Sequence, residues 1–180
     1  DLISVHLTRG PGSKIIEMST DQGAEMNASQ APDVSEVREE ILRAFSGVTL
    51  GGGIGLTEAH SMDRNDDEAA RAARRMQDEK NDWRLIRPAD LNRYNGSLSF
   101  FDAEGMRSTF PRPIADLDGV YEFGMAFHLT HLDSQGIRRF SLLSPEQRAA
   151  VRSYLQYIST EDEYAFERPA ILRALVEFWT

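Results

Sequence analysis

Cysteine is absent from this chain of 180 residues. Without thiols the protein can form neither a disulfide framework nor a thiolate metal site, and the absence favours an intracellular, cytoplasmic location. Long apolar runs are missing too, since the stretch 123–132 is interrupted by Gly124, His128 and His131. A helix that crosses a bilayer needs about 20 predominantly apolar residues, so we expect no membrane span.

Basic side chains are in the minority among the charged residues. The chain has 20 Lys and Arg against 29 Asp and Glu, which gives a net charge of −9. Such a surface repels the phosphates of nucleic acids and the headgroups of anionic lipids. We therefore expect no nucleic-acid partner and no membrane partner; a basic or neutral partner is more plausible, with a basic protein as the candidate.

The composition predicts a folded domain that follows a leader. Hydrophobic residues make up 41% of the chain and charged residues 27%, which is ordinary for a globular protein of one domain. Residues 1–30 begin with Asp, become small and polar after Met18, and lack the basic and apolar regions of a secretory signal. We interpret 1–30 as a flexible leader or fusion-derived segment, with the natural start at Met18 or Met26, and 31–180 as a single helical domain.

Helix signals dominate the rest of the chain. Asp33 with Glu36 three positions later predicts a capped helix start, and Gly47 is placed to end that helix in the left-handed conformation. Ser144 begins a second capping box, with proline at the first helical position. A last helix ends at Trp179, which should dock against the core. The predicted helices span 33–47, 66–79, 144–158 and 169–179.

The segment 121–143 fits two structures. Alternate positions from Tyr121 to Leu129 match a strand that the turn at 133–136 could fold into a hairpin, whereas every fourth position from Leu117 matches a helix. An isolated hairpin is only marginally stable, which favours the helix. The predicted fold is therefore mainly α, a compact single-domain helical bundle, with one small β-hairpin around 121–143 as the alternative.

A glycine cluster, LGGGIGLTEAH at 50–60, is a candidate phosphate site or a joint between helices. A dinucleotide-binding fingerprint requires a preceding strand and a third glycine, but here a predicted helix precedes and Leu56 stands at that position. A Walker loop requires lysine directly after the last glycine, where Leu56 again stands. We favour a flexible joint, and a nest of backbone amides that binds an anion is the alternative.

Candidate catalytic and metal-binding side chains lie in two stretches. Five of them could serve a small metal- or carboxylate-dependent hydrolase: Glu58, His60, Asp63, His128 and Asp133. Three imidazoles could share a zinc ion: His60, His128 and His131. No H-E-x-x-H motif supports this reading, and partly buried histidines bonded to the backbone are the structural alternative. We therefore expect no cofactor and no metal.

Other charged groups have structural readings that we favour. Asp102 with Glu104, or Asp116 with Asp118, could form a carboxylate pair, but Asp102 is well placed to cap a helix. The basic run that includes Arg71, Arg74 and Arg75 is most simply a solvated helix face.

Two motifs are specific as a set: SLSFFDAEGMR at 97–107, and FxxLSPEQRxAVxxYLxY from Phe140 to Tyr157. With the neighbouring segments they make most of 34–179 resemble an uncharacterised family of small bacterial proteins, catalogued as a domain of unknown function. The chain departs from that pattern at 108–113, where usual members carry a longer aromatic or aliphatic run. The resemblance implies a bacterial origin and a mostly helical domain, and it brings no catalytic residues.

Two functions follow as hypotheses. The first is a non-catalytic, acidic protein-binding module of the immunity or antitoxin kind, which would bind a basic partner through electrostatic steering. The second is the small hydrolase described above. We favour the binding module, because size and charge fit it and no catalytic motif is present.

Overall fold

The computed structural model describes residues 33–116 and 125–180. These residues lie in one compact unit, contain no strand and confirm the mainly α prediction. None of their helices is both long and apolar enough to span a membrane. The predicted leader and the start at Met18 or Met26 fall outside the described residues. The α-helices are α1 (Val34–Ala44), α2 (Leu56–Asp63), α3 (Glu68–Arg75), α4 (Pro88–Arg93), α5 (Ala103–Thr109), α6 (Pro111–Ala115), α7 (Ala126–Thr130), α8 (Ser134–Arg139), α9 (Pro145–Ile158) and α10 (Arg168–Glu177).

Helix α1 begins and ends where the sequence predicts. Asp33 and the side chain of Glu36 form a reciprocal capping box, which satisfies backbone N–H groups of the first turn. Gly47 adopts a φ of 72°, the left-handed conformation common just beyond a helix C-terminus. Val37 and Ile41 lie one turn apart on the same face and are fully buried. This face packs against α9.

Helix α9 is the longest helix of the described residues. Ser144 and Gln147 form its capping box, as the sequence predicts. The Gln147 amide also donates a hydrogen bond of 3.2 Å to the carbonyl of Ala44, at the end of α1. Val151 and Leu155, one turn apart, have no exposed surface. The start of α9 is therefore tied to the end of α1 by a hydrogen bond as well as by apolar packing.

A chain of four aromatic rings runs through the core. Phe45 contacts Phe110 edge-on with 5.2 Å between ring centroids, and Phe110 contacts Phe140 at 5.8 Å. Phe140 then contacts Trp179 at 5.2 Å. Each such pair contributes about 0.5–1.5 kcal/mol beyond the burial of its surface. The rings connect the ends of α1, α5 and α8 to the residues that follow α10.

The residues after α10 dock against the core, as predicted. The Trp179 indole N–H donates a hydrogen bond of 2.8 Å to the carbonyl of Leu129, and the guanidinium of Arg148 lies 5.1 Å from the Trp179 ring centroid. Two apolar residues of α10 instead face outward, since Leu172 is 51% exposed and Val176 is 76% exposed. The helix is thus held mainly by its inner face and by Trp179.

The segment 125–143 is helical, so the hairpin alternative is wrong for these residues. Helices α7 and α8 occupy the positions of the two proposed strands. Asp133, which was expected to begin a turn, is the N-cap of α8. Gly136 follows in the first turn, where a Cβ atom would overlap the carbonyl oxygen of His131. Residues 121–124 of the proposed hairpin lie outside the described ranges.

Candidate functional site

The glycine segment 50–55 crosses directly over the first turn of α5. The Ile54 amide donates a hydrogen bond of 3.1 Å to Asp102, the N-cap of that helix. A Cβ atom on Gly53 would lie 2.7 Å from the amide nitrogen of Gly105, and one on Gly105 would overlap the Ile54 carbonyl oxygen. The segment does join α1 to α2, as predicted. Its glycines, however, permit a close crossing of two backbones instead of supplying a loose joint.

The N-terminus of α2 is capped by a carboxylate from within the chain. Asp78 accepts hydrogen bonds from the backbone N–H of Thr57 at 2.6 Å and of Glu58 at 3.2 Å. Burial raises the pKa of Asp78, although these amide hydrogen bonds act in the opposite direction. Its side chain fits because position 55 is glycine, where a Cβ would lie 2.6 Å from the Asp78 Cβ. The amides that a phosphate would use at a helix N-terminus are therefore already bonded to Asp78.

Glu58, a candidate catalytic carboxylate, is buried in an ion pair. Its side chain is 1% exposed, and both of its oxygens accept hydrogen bonds from Arg75, one of them at 2.7 Å. Arg71 approaches the same carboxylate at 3.7 Å. The bonds from Glu58 hold the pKa of Arg75 above its usual value. This face of α3 is partly exposed, as interpreted from the sequence, but Arg71 and Arg75 also join α3 to α2 through Glu58.

His60 and Asp63 lie on α2 with Glu58 but take part in different contacts. The ring of His60 packs against Tyr94 with 4.5 Å between centroids, and its Nδ1 atom lies 3.4 Å from the Ser97 hydroxyl. Asp63, at the end of the helix, is exposed. The three side chains proposed from this stretch therefore lie in different environments: one is buried in an ion pair, one packs against a tyrosine and one faces solvent.

His128 and His131 both contact the ring of Phe127. His131 stacks on Phe127 with 5.1 Å between centroids, and His128 meets it edge-on at 5.4 Å. Burial lowers the pKa of His128 to about 4, and the positive charges of Arg139 and His131 add to this effect. His128 is therefore a neutral, packed residue at neutral pH.

Asp133 has a structural role as the cap of α8. Its carboxylate accepts hydrogen bonds from the backbone N–H of Gly136 at 2.7 Å and of Gln135 at 3.0 Å. These bonds, the one from Gly136 most strongly, lower the pKa of Asp133. A carboxylate held in this way is ionised and directed at its own helix.

The other proposed carboxylate pairs and the proposed zinc ligands do not assemble in the described ranges. Asp102 caps α5 through the amide of Gly105 at 2.7 Å, and Asp116 lies 3.5 Å from Arg112 of the preceding turn. Asp118 falls outside the described residues. No three His, Asp or Glu side chains among residues 33–116 and 125–180 are grouped so that they could hold a metal ion.

A groove lies between α7 and the start of α10, where the sequence indicated no site. It is a cavity of about 460 Å³ lined by both apolar and polar residues. Phe127 is 61% exposed and Phe166 is 93% exposed, although both are large aromatic side chains. The apolar lining residues are Ala126, Phe127, Phe166 and Ala170, and the polar ones are Thr130, Glu163, Tyr164 and Glu167. We call this cavity the α7–α10 groove.

The two glutamates of the α7–α10 groove form no ion pair in the described part of the chain. No ion pair joins Glu163 or Glu167 to an Arg or Lys there. Arg168, the nearest basic residue in sequence, donates instead to the carbonyls of Ser159 at 2.6 Å and Glu161 at 3.1 Å. Burial raises the pKa of Tyr164, and the charges of both glutamates add to this effect. The groove therefore combines exposed aromatic surface with uncompensated negative charge.

Comparison with models of protein families shows which family the chain belongs to. A model for a family of unknown function, DUF6714, matches residues 33–180. The chain belongs to DUF6714. This confirms the resemblance identified from the sequence, and the match begins at Asp33, the N-cap of α1. No curated protein and no solved structure matches the chain.

In two further cavities of this DUF6714 protein, charged groups of the lining have internal partners. One, of about 430 Å³, lies beside Asp102 and Arg139, and Arg139 donates to the Ser99 carbonyl at 2.7 Å. The other, of about 310 Å³, lies beside Asp78 and Asp90, and Asp90 accepts a hydrogen bond of 2.7 Å from Arg87. The α7–α10 groove differs in that Glu163 and Glu167 form no ion pair within the described residues and Phe166 beside them is 93% exposed.

The groove residues of this DUF6714 member carry no strong signal in the sequence, for a physical reason. Phe166 follows a one-turn 3₁₀ helix, Asp162–Tyr164, so it belongs to no long periodic pattern. Glu163 and Glu167 resemble ordinary surface acids when they are read one at a time. A usable signal is nevertheless present, because EDEYAFE at 161–167 places two aromatics among four carboxylates without any Lys or Arg.

Proposed function

We propose that this protein is a non-catalytic binding module that holds a basic partner protein, in the manner of an immunity protein or an antitoxin. The observation that carries the proposal is the exposed segment 161–167, which has four carboxylates and no basic residue around an almost fully exposed Phe166. With a net charge of −9 for the whole chain, such a surface accelerates the approach of a basic protein and opposes that of an acidic one.

The contacts of the candidate catalytic residues support the proposal. Glu58 is paired with Arg75, His60 is packed on Tyr94, and Asp133 caps α8. Each of these contacts explains why the side chain is where it is without reference to a substrate. The hydrolase reading therefore has no observation in its favour that a structural role does not already explain.

The proposal includes a cytoplasmic site of action in a bacterial cell. The cysteine-free composition is compatible with a reducing compartment, and the bacterial assignment rests on the resemblance of the sequence motifs. It also includes the expectation that nucleic acid is not the ligand, because the acidic surface repels phosphate groups.

Affinity capture at two salt concentrations tests the function. The folded protein, immobilised, is exposed to a native bacterial lysate, and an unrelated acidic protein of similar charge serves as the control column. We expect one stoichiometric basic protein that the control does not retain. Its retention should fall at 1 M salt, at which the screening length is about 3 Å, although an apolar contribution will remain.

Two results contradict the function. One is repeated capture of nothing, or of proteins that the control column retains equally. The other is a rise in melting temperature with a divalent metal or a nucleotide, since a ligand that binds only the folded state must stabilise it. The second result would favour an enzyme.

A further inference from the structure

The two phenylalanines of the α7–α10 groove are largely exposed to solvent. Phe166 leaves 93% of its surface in water and Phe127 leaves 61%, while the neighbouring residues Ala126 and Leu129 of α7 are buried. Helix α7 is thus fixed by its inner face, and the outward aromatic contributes little to that packing. Exposed aromatic surface beside a cavity is typical of interaction sites.

The charges at this groove define what can cover it. Glu163 and Glu167 both line the cavity, and neither has a basic partner in the described residues. The guanidinium of Arg168 is directed at backbone carbonyls and forms no ion pair with either glutamate. A ligand that covers Phe166 would partly remove water from these carboxylates as well, so it must bring positive charge to compensate.

We propose that the α7–α10 groove is the docking site for a basic segment of a partner protein. One large apolar side chain of that segment enters the cavity between Phe127 and Phe166, and flanking Lys or Arg side chains pair with Glu163 and Glu167. This inference rests on the proposed function and specifies its site and its recognition chemistry. A cavity of about 460 Å³ is of the size that takes one or two side chains as anchors.

Charge complementarity selects this occupant over the others. An anionic lipid surface or a nucleic acid would bring phosphates against Glu163 and Glu167. A second copy of this chain carries the same net charge of −9 and would bring like charges together. A neutral apolar peptide could fill the cavity but would leave the two carboxylates uncompensated.

Defined peptides test the site directly. The probe is a short synthetic peptide with a central Leu-Phe pair flanked by lysines, labelled at one end for fluorescence anisotropy. Two matched peptides replace the lysines with glutamates or the Leu-Phe pair with serines. We expect only the first to bind. When this peptide binds, changes in the backbone chemical shifts of the protein should be confined to α7 and to residues 163–170.

Two groove variants and one matched control assign the binding to the groove. Phe166→Ser removes the exposed ring, and Glu163→Gln with Glu167→Gln removes the charge without changing size. Each should weaken the lysine peptide roughly tenfold, and the charge variant should also lose most of the salt dependence. Val176→Ser with Glu177→Gln changes an equally exposed apolar and acidic pair on α10 outside the groove, and should leave affinity unchanged.

The outcomes separate this inference from the function it depends on. If the peptide binds the groove variants and the wild-type protein equally, or if the glutamate or serine peptide binds as well as the lysine peptide, the site assignment is wrong. Self-association of the protein, or binding to anionic vesicles, that Phe166→Ser abolishes would also overturn it. If lysate capture returns a basic protein that the groove variants hold undiminished, the binding function stands and only this docking site falls.

Discussion

The α2–α3 region and the α7–α10 groove treat charge in opposite ways. In the first, Glu58 is 1% exposed and is bonded to Arg75 on both oxygens. In the second, Glu163 and Glu167 face an open cavity beside an aromatic ring that is 93% exposed. In the first region the charge of Glu58 is paired within the chain, and these ion pairs join α2 to α3. The second leaves its carboxylates without an ion pair in the described residues, and we propose that a partner supplies the missing charge and apolar surface.

This difference shows where a functional site should be sought in a protein without catalytic motifs. Buried carboxylates attract attention because catalytic groups are often buried and perturbed, yet structural ion pairs have the same appearance. The distinguishing property is whether the charge is satisfied internally. By this criterion the side chains around Phe166 are better candidates than Glu58.

The largest effect should come from removing the basic partners of Glu58. In a variant with Arg71→Ala and Arg75→Ala, a buried carboxylate is left without a counterion, and we expect a loss of about 3–5 kcal/mol in the free energy of unfolding. Urea denaturation followed by circular dichroism measures it. Arg84→Ala is the control, since it breaks a pair with Asp82 in which the arginine is 63% exposed, and the free energy of unfolding should fall much less. Equal losses in the two variants would mean that the α2–α3 region is not closed in the way described.

An intermediate effect should appear in acid, at the inner side of α7. Burial lowers the pKa of His128 from 6.5 to about 4, so the unfolded chain binds this proton more tightly than the folded one. The stabilising contribution is complete above pH 6.5 and is lost as the pH falls toward 4. At about 1.4 kcal/mol per pKa unit, the loss is about 3 kcal/mol at most.

His128→Gln should therefore flatten the dependence of stability on pH in this window. Urea denaturation of both proteins at a series of pH values between 4 and 7.5 provides the measurement. Above pH 7 the two proteins should differ by a constant amount, which serves as the internal reference. A slope that stays the same after the substitution would show that His128 is protonated as readily in the folded protein as in the unfolded chain.

The smallest effect on stability should be found at the groove itself. Phe166→Ser removes an exposed ring, and Glu163→Gln with Glu167→Gln removes two charges that form no ion pair in the described residues. In either variant the free energy of unfolding should change by no more than about 0.5 kcal/mol. Thermal unfolding followed by circular dichroism checks this. A loss of about 2 kcal/mol or more would show that these residues are needed by the fold, and the contrast between the two regions would disappear.

The helices with strong local signals could be predicted from the sequence. The capping boxes that begin at Asp33 and Ser144 are formed, and Gly47 ends its helix with a positive φ. These predictions hold because capping depends on a few neighbouring side chains. The predicted helix 66–79 is shorter in the structure, where α3 is Glu68–Arg75, since the positions beyond it have no apolar stripe to bury.

The roles that depend on distant contacts could not be predicted in the same way. Arg75 meets Glu58 across 17 positions of sequence, and Ile54 meets Asp102 across 48, so neither pairing leaves a local pattern. The sequence predicts a loose joint at the glycine cluster, because it does not show that the backbone of this segment crosses that of α5. The hairpin alternative failed for a related reason, because alternation and helical periodicity coincide over a segment this short.

Both tryptophans of the chain report on the core and not on the groove. Trp83 is 4% exposed and Trp179 is 1% exposed, and their indole N–H groups donate to the carbonyls of Phe45 and Leu129. Their emission should therefore be blue-shifted in the folded protein and move to longer wavelength when the core opens. Phenylalanine contributes no emission in that range, so replacing Phe166 leaves the signal intact. Intrinsic tryptophan fluorescence therefore shows whether a groove variant is still folded during a binding titration.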